Sequence, residues 1–297
     1  MHLFAPDGTR LSYRRVGTGA PLVCVPGGPL LSADYLGDLG GLDAHAELIL
    51  LDHRGSGASD SPADATSFRC DRVVEDIEAL RVHLGAERLA LLGHSAGANV
   101  VYRYAERYPE RVDRLILVTP STRALAIEIS DEARSEVARS REGEPWYPAA
   151  SAALARIQAG EAGAADWAML APFSYGRWDE EVAAYDARME AERDVEAARM
   201  FESEGAFDPP RTRAALAELD IPVLVLAGSV DVGNPVGAMV AVAALFRCGE
   251  LVVQEQAGHF PWMDEPATFR TIVAARLDRV ASPTARLSSG LADGGCP

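Results

Sequence analysis

Lysine is absent from the 297-residue sequence, whose 28 basic residues are all arginine; we read this as genome composition rather than function. Positive charge is scarce altogether. Against 44 Asp and Glu the arginines leave a formal charge of −16, and an acidic surface repels both nucleic-acid phosphates and anionic lipid headgroups. Neither a nucleic acid nor a membrane is expected as a partner. Cysteine is also rare. Cys24, Cys70, Cys248 and Cys296 show no paired metal-ligand spacing, and so few in so long a chain do not make a disulfide framework, so reduced thiols and no metal site are expected. No run reaches the ~18 uncharged apolar residues that a bilayer crossing needs. The opening MHLFAPDGTRLSYRR has no apolar stretch followed by a cleavage site, and a cytoplasmic location is expected. No internal repeat is visible. What the chain does have is a 48% hydrophobic share, enough to bury one large core or two moderate ones.

Apolar runs and helical spacings alternate along the first 120 residues. TRLSYRRV alternates as a half-buried strand does, and APLVCVPGG is a continuous apolar run stopped by Pro26 and Gly27. AELILLDHRGSG (46–57) repeats buried strand then glycine loop. DRVVEDIEALRVHLG places Val73, Val74, Ile77, Leu80 and Leu84 at helical spacing, with Gly85 ending the helix. RLALLG, a helix through Tyr108 and the strand RLILVTP follow. Strand–helix alternation predicts a mostly parallel central sheet flanked by helices, an α/β fold.

From 121 to 210 the strand-like runs vanish and Ala, Glu and Arg dominate. This span holds 19 acidic and 9 basic residues, so it carries −10 of the total charge. It reads as an inserted helical segment. Strands return in IPVLVLAGSVD (221–231) and ELVVQEQAGH, with helices near 236–246 and from Pro266 to about Val280. The expected organisation is a core of 1–120 and 211–282, a helical insertion over 121–210, and a Gly/Ser/Pro-rich flexible tail at 283–297.

Between RLALLG and its helix lies Gly93-His94-Ser95-Ala96-Gly97. A serine on a sharp strand-to-helix turn needs small residues two places before and after it, because the backbone is drawn close there. The turn lifts the Ser95 hydroxyl above the sheet's C-terminal edge. It also leaves the first amides of the helix free to bind a developing oxyanion. Serine alone is a poor nucleophile and requires a base and an orienting acid. Of six histidines, His259 follows a strand and Gly258 in QAGHFPWMDEP, where a loop can bring the imidazole over the sheet edge. Asp231 ends the preceding strand, giving the order Ser95, Asp231, His259. No carboxylate follows RLILVTP, which offers Thr119, Pro120 and Ser121 instead.

Pro26-Gly27-Gly28-Pro29, Asp52-His53-Arg54-Gly55-Ser56-Gly57, the Gly93–Gly97 turn, GSVDVGNP and Gly258-His259 with Pro261-Trp262 together resemble the α/β-hydrolase fold. Within it they are similar to the branch of proline iminopeptidases and related serine hydrolases, over about residues 3–281. That branch usually reads His-Gly-Gly-Pro-Gly in the first loop; here Pro26 replaces the His and Leu30 the last Gly, and Ala96 stands where the peptidases carry a bulky aromatic. The resemblance implies an oxyanion hole from the backbone N–H groups of Gly28 and Ala96, with Gly27 as a further donor. It implies a serine hydrolase working through an acyl-enzyme on a small amide, amino-terminal peptide or ester bond of a small molecule or short peptide. It needs no cofactor. A carboxylesterase, thioesterase or C–C-bond hydrolase with the same triad is the alternative that Pro26 and Ala96 favour, and a non-catalytic ligand-binding relative is the third. Segment 52–57 is read as structural. The insertion is expected to form a cap, or lid, over Ser95. Iminopeptidase lids use acidic residues to bind the substrate amine, and Glu180, Glu181, Glu202, Glu204 and Asp208 are the candidates. Glu204, Trp178 and Phe207 are the cap residues named as substrate contacts; Trp146, Tyr147, Trp167, Phe173 and Tyr175 are further aromatic candidates for pocket or cap core.

Overall fold

The computed structural model describes residues 1–277, save the side chain of residue 164; the expected tail at 283–297 lies outside them. Eight strands form one sheet: β1 (His2–Phe4), β2 (Arg10–Val16), β3 (Pro21–Val25), β4 (Glu47–Asp52), β5 (Leu89–His94), β6 (Val112–Val118), β7 (Val223–Gly228) and β8 (Gly249–Gln254). Their spatial order is β1-β2-β4-β3-β5-β6-β7-β8. The pairs β1–β2 and β2–β4 are antiparallel and every later pair is parallel. The expected α/β architecture with a mostly parallel sheet is therefore present.

The apolar runs have their cause in the two buried faces. Leu22, Leu48, Leu50, Leu92, Ile116, Leu224 and Leu226 point to one core cluster. Their neighbours Val23, Ile49, Leu51, Leu91, Leu115, Val223 and Val225 point to the other. A strand covered on both sides has no polar face to show, so alternation disappears. β2 pairs toward the sheet's edge and does not keep the expected alternation: Leu11, Ser12 and Tyr13 are all buried, and Arg14 and Arg15 are both exposed.

Helices α1 (Cys70–His83) and α2 (Gly97–Arg107) pack together. Val73, Val74, Ile77 and Leu80 of α1 are buried as their spacing predicted, and Gly85 has a φ of 65°, a left-handed conformation that glycine adopts without steric cost. Between β6 and β7 lie only helices: α3 (Asp131–Arg139), α4 (Tyr147–Gln158), α5 (Ala164–Met169), α6 (Glu180–Ala191), α7 (Val195–Phe201) and α8 (Pro209–Ala217). Their start signals are visible, since Ser130, Asp179, Asp194 and Asp208 each accept a backbone N–H of the first turn. Trp146, Tyr147 and Phe173 gather round Ala150 and Leu154 in a small core of their own. Ala197 and Phe201 instead join the cluster under α1 and α2. After β7 come α9 (Val236–Ala243), α10 (Pro261–Asp264) and α11 (Pro266–Leu277). Cys24 and Cys70 are buried free thiols. Among the described residues no helix is long and apolar enough to cross a membrane.

Candidate active site

Ser95 has a φ of 51°, a strained region for a residue with a side chain. The turn is held open-ended: its N–H donates to Val118 O at 3.1 Å, and its carbonyl accepts from Ala98 N at 3.1 Å and Ser121 N at 3.0 Å. The flanking glycines are required by contact. A Cβ on Gly97 would lie 2.4 Å from Val25 O, and one on Gly93 would lie 2.9 Å from Val101 Cγ2 and 3.0 Å from Ala98 Cα.

Asp231 follows β7 and is 1% exposed. Its Oδ2 accepts from His259 Nδ1 at 2.7 Å, and its Oδ1 accepts from Asn234 N at 3.0 Å. With the proton on Nδ1, the other ring nitrogen of His259 is left as an acceptor. His259 is fixed through its main chain, whose carbonyl accepts from Thr119 Oγ1 at 2.9 Å and from His94 Nε2 at 2.9 Å. His259 N donates to Ser174 O at 2.7 Å, and Gly258 N donates to Asp264 Oδ2 at 2.7 Å. A Cβ on Gly258 would lie 2.5 Å from Ser174 O, so the histidine loop lies flat against the insertion.

Both ring nitrogens of His94 are bonded, Nε2 to the His259 carbonyl and Nδ1 to Tyr35. Since a carbonyl only accepts, Nε2 carries the proton; Nδ1 then accepts from the Tyr35 hydroxyl at 2.7 Å. Loss of water on burial, with the neighbouring His259 adding to it, holds this imidazole well below its ordinary pKa and keeps it neutral. The Tyr35 oxygen in turn accepts the N–H of Gly27 at 2.6 Å. That bond corrects one expectation: the Gly27 donor is already used, and Gly28 and Ala96 are the remaining candidates. Segment 52–57 is structural in its contacts. Asp52 accepts from Ala33 N at 2.8 Å and Ala58 N at 3.1 Å, and Arg54 bonds Asp76 at 2.5 Å and Asp7 at 2.6 Å.

Ser95, His259, Gly28 and His94 line one cavity of about 810 Å³ together with Trp167, Leu170, Ser174, Asp186, Met189, Glu190 and Arg193 of the insertion. The three cap residues named from sequence lie elsewhere. Glu204 is exposed outside the cavity. Trp178 packs against Tyr175, ring centres 5.4 Å apart, and Phe207 packs edge-on to Phe201 at 6.3 Å. Glu180, Glu181, Glu202 and Asp208 are absent from the lining too. The reason is topological: α6 presents its Asp186–Glu190 side to the cavity, whereas the chain around 202–208 has turned onto the outer face of the core. Asp186 accepts from the Tyr175 hydroxyl at 2.9 Å, and burial raises its pKa. Glu190 is paired with Arg193 at 2.6 Å. Tyr35 was missed because nothing in its spacing marks it, and Thr119 and Asn234 lie in stretches singled out from the sequence but were given no role there.

The profile of the alpha/beta hydrolase fold family matches residues 20–266. A cis-3-alkyl-4-alkyloxetan-2-one decarboxylase of Shewanella oneidensis is 32% identical over 136 residues, 43% of each chain. A proline iminopeptidase of Heyndrickxia coagulans is 34% identical over 116 residues, 38% of this chain and 40% of that protein. The chain thus spans about two fifths of the length of these curated relatives. An esterase of Exiguobacterium antarcticum superposes with a TM-score of 0.71 at 18% identity, covering 93% of this chain and 98% of that one.

Proposed function

The chain belongs to the α/β-hydrolase family, and from that premise we propose that it is a serine hydrolase cleaving the ester or small amide bond of a small molecule. The observation that carries this reading is the 2.7 Å bond between His259 Nδ1 and buried Asp231, with Ser95 on a strained turn in the same cavity. Asp231 holds the imidazole in the tautomer whose free nitrogen can take a proton. In the proposed cycle His259 removes the Ser95 proton as Oγ attacks the substrate carbonyl. The tetrahedral oxyanion is bound by the N–H groups of Gly28 and Ala96, donors that need no reorganisation. His259 passes its proton to the leaving group, and the acyl group stays on Ser95. Water then attacks the acyl carbonyl, giving its proton to His259, and the carboxylic acid leaves as Oγ is reprotonated. We take the 121–210 insertion as the lid that sets substrate choice.

One observation favours a second reading, the cleavage of an amino-terminal residue: Asp186 lies in the cavity and makes no ion pair among the described residues, so a substrate ammonium could be its partner. Ala96 and Pro26 weigh toward the ester. A fluorophosphonate probe should label the wild-type protein and leave Ser95→Ala unlabelled; labelling of both removes Ser95 from the mechanism. Turnover of short p-nitrophenyl esters without turnover of prolyl or alanyl arylamides would reject the aminopeptidase reading.

A further inference from the structure

The loop that carries Gly28 is tied down at three points. Gly27 N–H donates to Tyr35 Oη at 2.6 Å, and Gly27 O accepts from Leu31 N at 3.0 Å. Both anchors come from the core. The third comes from the insertion: Arg193 Nη1 donates to the carbonyl of Gly28, across 165 positions of sequence. The guanidinium is itself braced, since Nε and Nη2 donate to the two Glu190 carboxylate oxygens at 2.9 and 2.6 Å. Gly28 has a φ of 115°, reached freely only by glycine, so its own geometry restrains it little. The N–H of Gly28 shares its peptide plane with Gly27 O, which Leu31 holds, and the Arg193 bond holds the plane on the other side of the residue; without it Gly28 is clamped on one side only, and its free torsions let the Cα to which that N–H nitrogen is bonded drift.

Resting on the reading of Gly28 N–H as an oxyanion donor, we propose that Arg193 is a positioning residue that fixes this N–H and so makes the oxyanion hole complete only while the insertion is seated. Arg193 is braced by Glu190 and bonded to the main chain, so it acts through the loop and not as a charge offered to substrate. A donor that wanders loses transition-state binding while substrate binding is left largely intact. The two can be measured apart. Phenylboronic acid forms a bond from Ser95 Oγ to boron, with the Oγ proton passing to His259, and places a boron-bound oxygen where the oxyanion forms. The same p-nitrophenyl ester binds to a Ser95→Ala background without reacting.

For Arg193→Met we expect kcat/KM to fall about tenfold and the boronate inhibition constant to rise by the same factor, less than the loss from deleting a donor outright. Ester binding should be equal within twofold in Ser95→Ala and Ser95→Ala/Arg193→Met, and Arg193→Lys, which keeps one donor, should recover part of the loss. Tyr185→Phe is the control for docking in general, because Tyr185 Oη donates to Tyr35 O at 2.6 Å and also ties α6 to the core. The proposal is overturned by wild-type kcat/KM in Arg193→Met, by an ester-binding loss as large as the kinetic one, or by the same boronate shift in Tyr185→Phe. If boronate and fluorophosphonate both fail on the unsubstituted protein, the reading of Ser95 itself falls, and this proposal with it.

Discussion

Replacing Gly97 by alanine adds one methyl group where the chain has no room for it. A Cβ there would stand 2.4 Å from Val25 O and 2.5 Å from Pro26 O, whereas real Cβ atoms essentially never come within 3.0 Å of such atoms, so at least 0.6 Å must open. Both obstacles are backbone at the end of β3 and cannot rotate aside. The start of α2, with Ala96 N–H, must therefore move away from the loop that carries Gly28, and the two donors separate. A misplacement of about 1 Å near the reacting atoms costs on the order of a hundredfold, which puts Gly97→Ala at about a ten- to hundredfold loss in kcat/KM. Overpacking of this kind also costs about 1–3 kcal/mol, or a Tm lower by about 2–10 °C for a chain of this size. Gly237 in α9 is the comparison, since a Cβ there meets nothing within 4 Å; Gly237→Ala should gain about 0.5–1 kcal/mol from chain entropy alone. The assay is p-nitrophenyl ester kinetics beside thermal unfolding followed by circular dichroism. Wild-type kcat/KM and Tm in Gly97→Ala, or equal damage from Gly237→Ala, would refute the steric argument.

Asp231→Asn should keep the fold and lower kcat about 10,000-fold, because an amide can donate to Nδ1 and turn the ring into the tautomer whose Nε2 carries a proton; activity within tenfold of wild type would sink the orienting role. Acid should destabilise the protein through its buried imidazoles. Burial, with the Arg54 guanidinium adding to it, pushes His53 down to about 3, and both of its ring nitrogens lack a hydrogen-bond partner. Asp76, 3.9 Å away, is committed to Arg54. Above the unfolded value of about 6.5 neither state binds the proton and the group is neutral to stability. Below it the unfolded chain takes a proton that the folded chain refuses, so stability falls as pH drops from about 6.5 toward 3, by about 2 kcal/mol at pH 5. Urea unfolding at pH 7 and pH 5 should show His53→Phe losing about that much less than wild type; parallel losses would contradict the assignment.

The sheet could be read because strands such as β3 and β6 are buried on both faces and leave uninterrupted apolar runs, whereas β1, three residues long, leaves no pattern at all. The Ser95 turn was equally legible, since close backbone approach at positions 93 and 97 restricts both to glycine. The pairing of Asp231 with His259 followed from their places in the loops after β7 and β8. The helical character of the insertion was legible and the facing of its residues was not. Its acidic residues are too many to rank by sequence, and which of them faces the cavity depends on how α6 rolls onto the core. Thus Asp186 and Glu190 line it and Glu204 does not. Tyr35 and Arg193 act through contacts 59 and 165 positions distant, and no local spacing announces such partners.

The flat contact between Gly258 and Ser174 limits how this protein could be re-engineered. A foreign segment spliced between β6 and β7 would arrive without the peptide that His259 N–H grips, and the proposed base would lose its footing. A workable chimera would carry 174–177 and 256–264 as a single cassette.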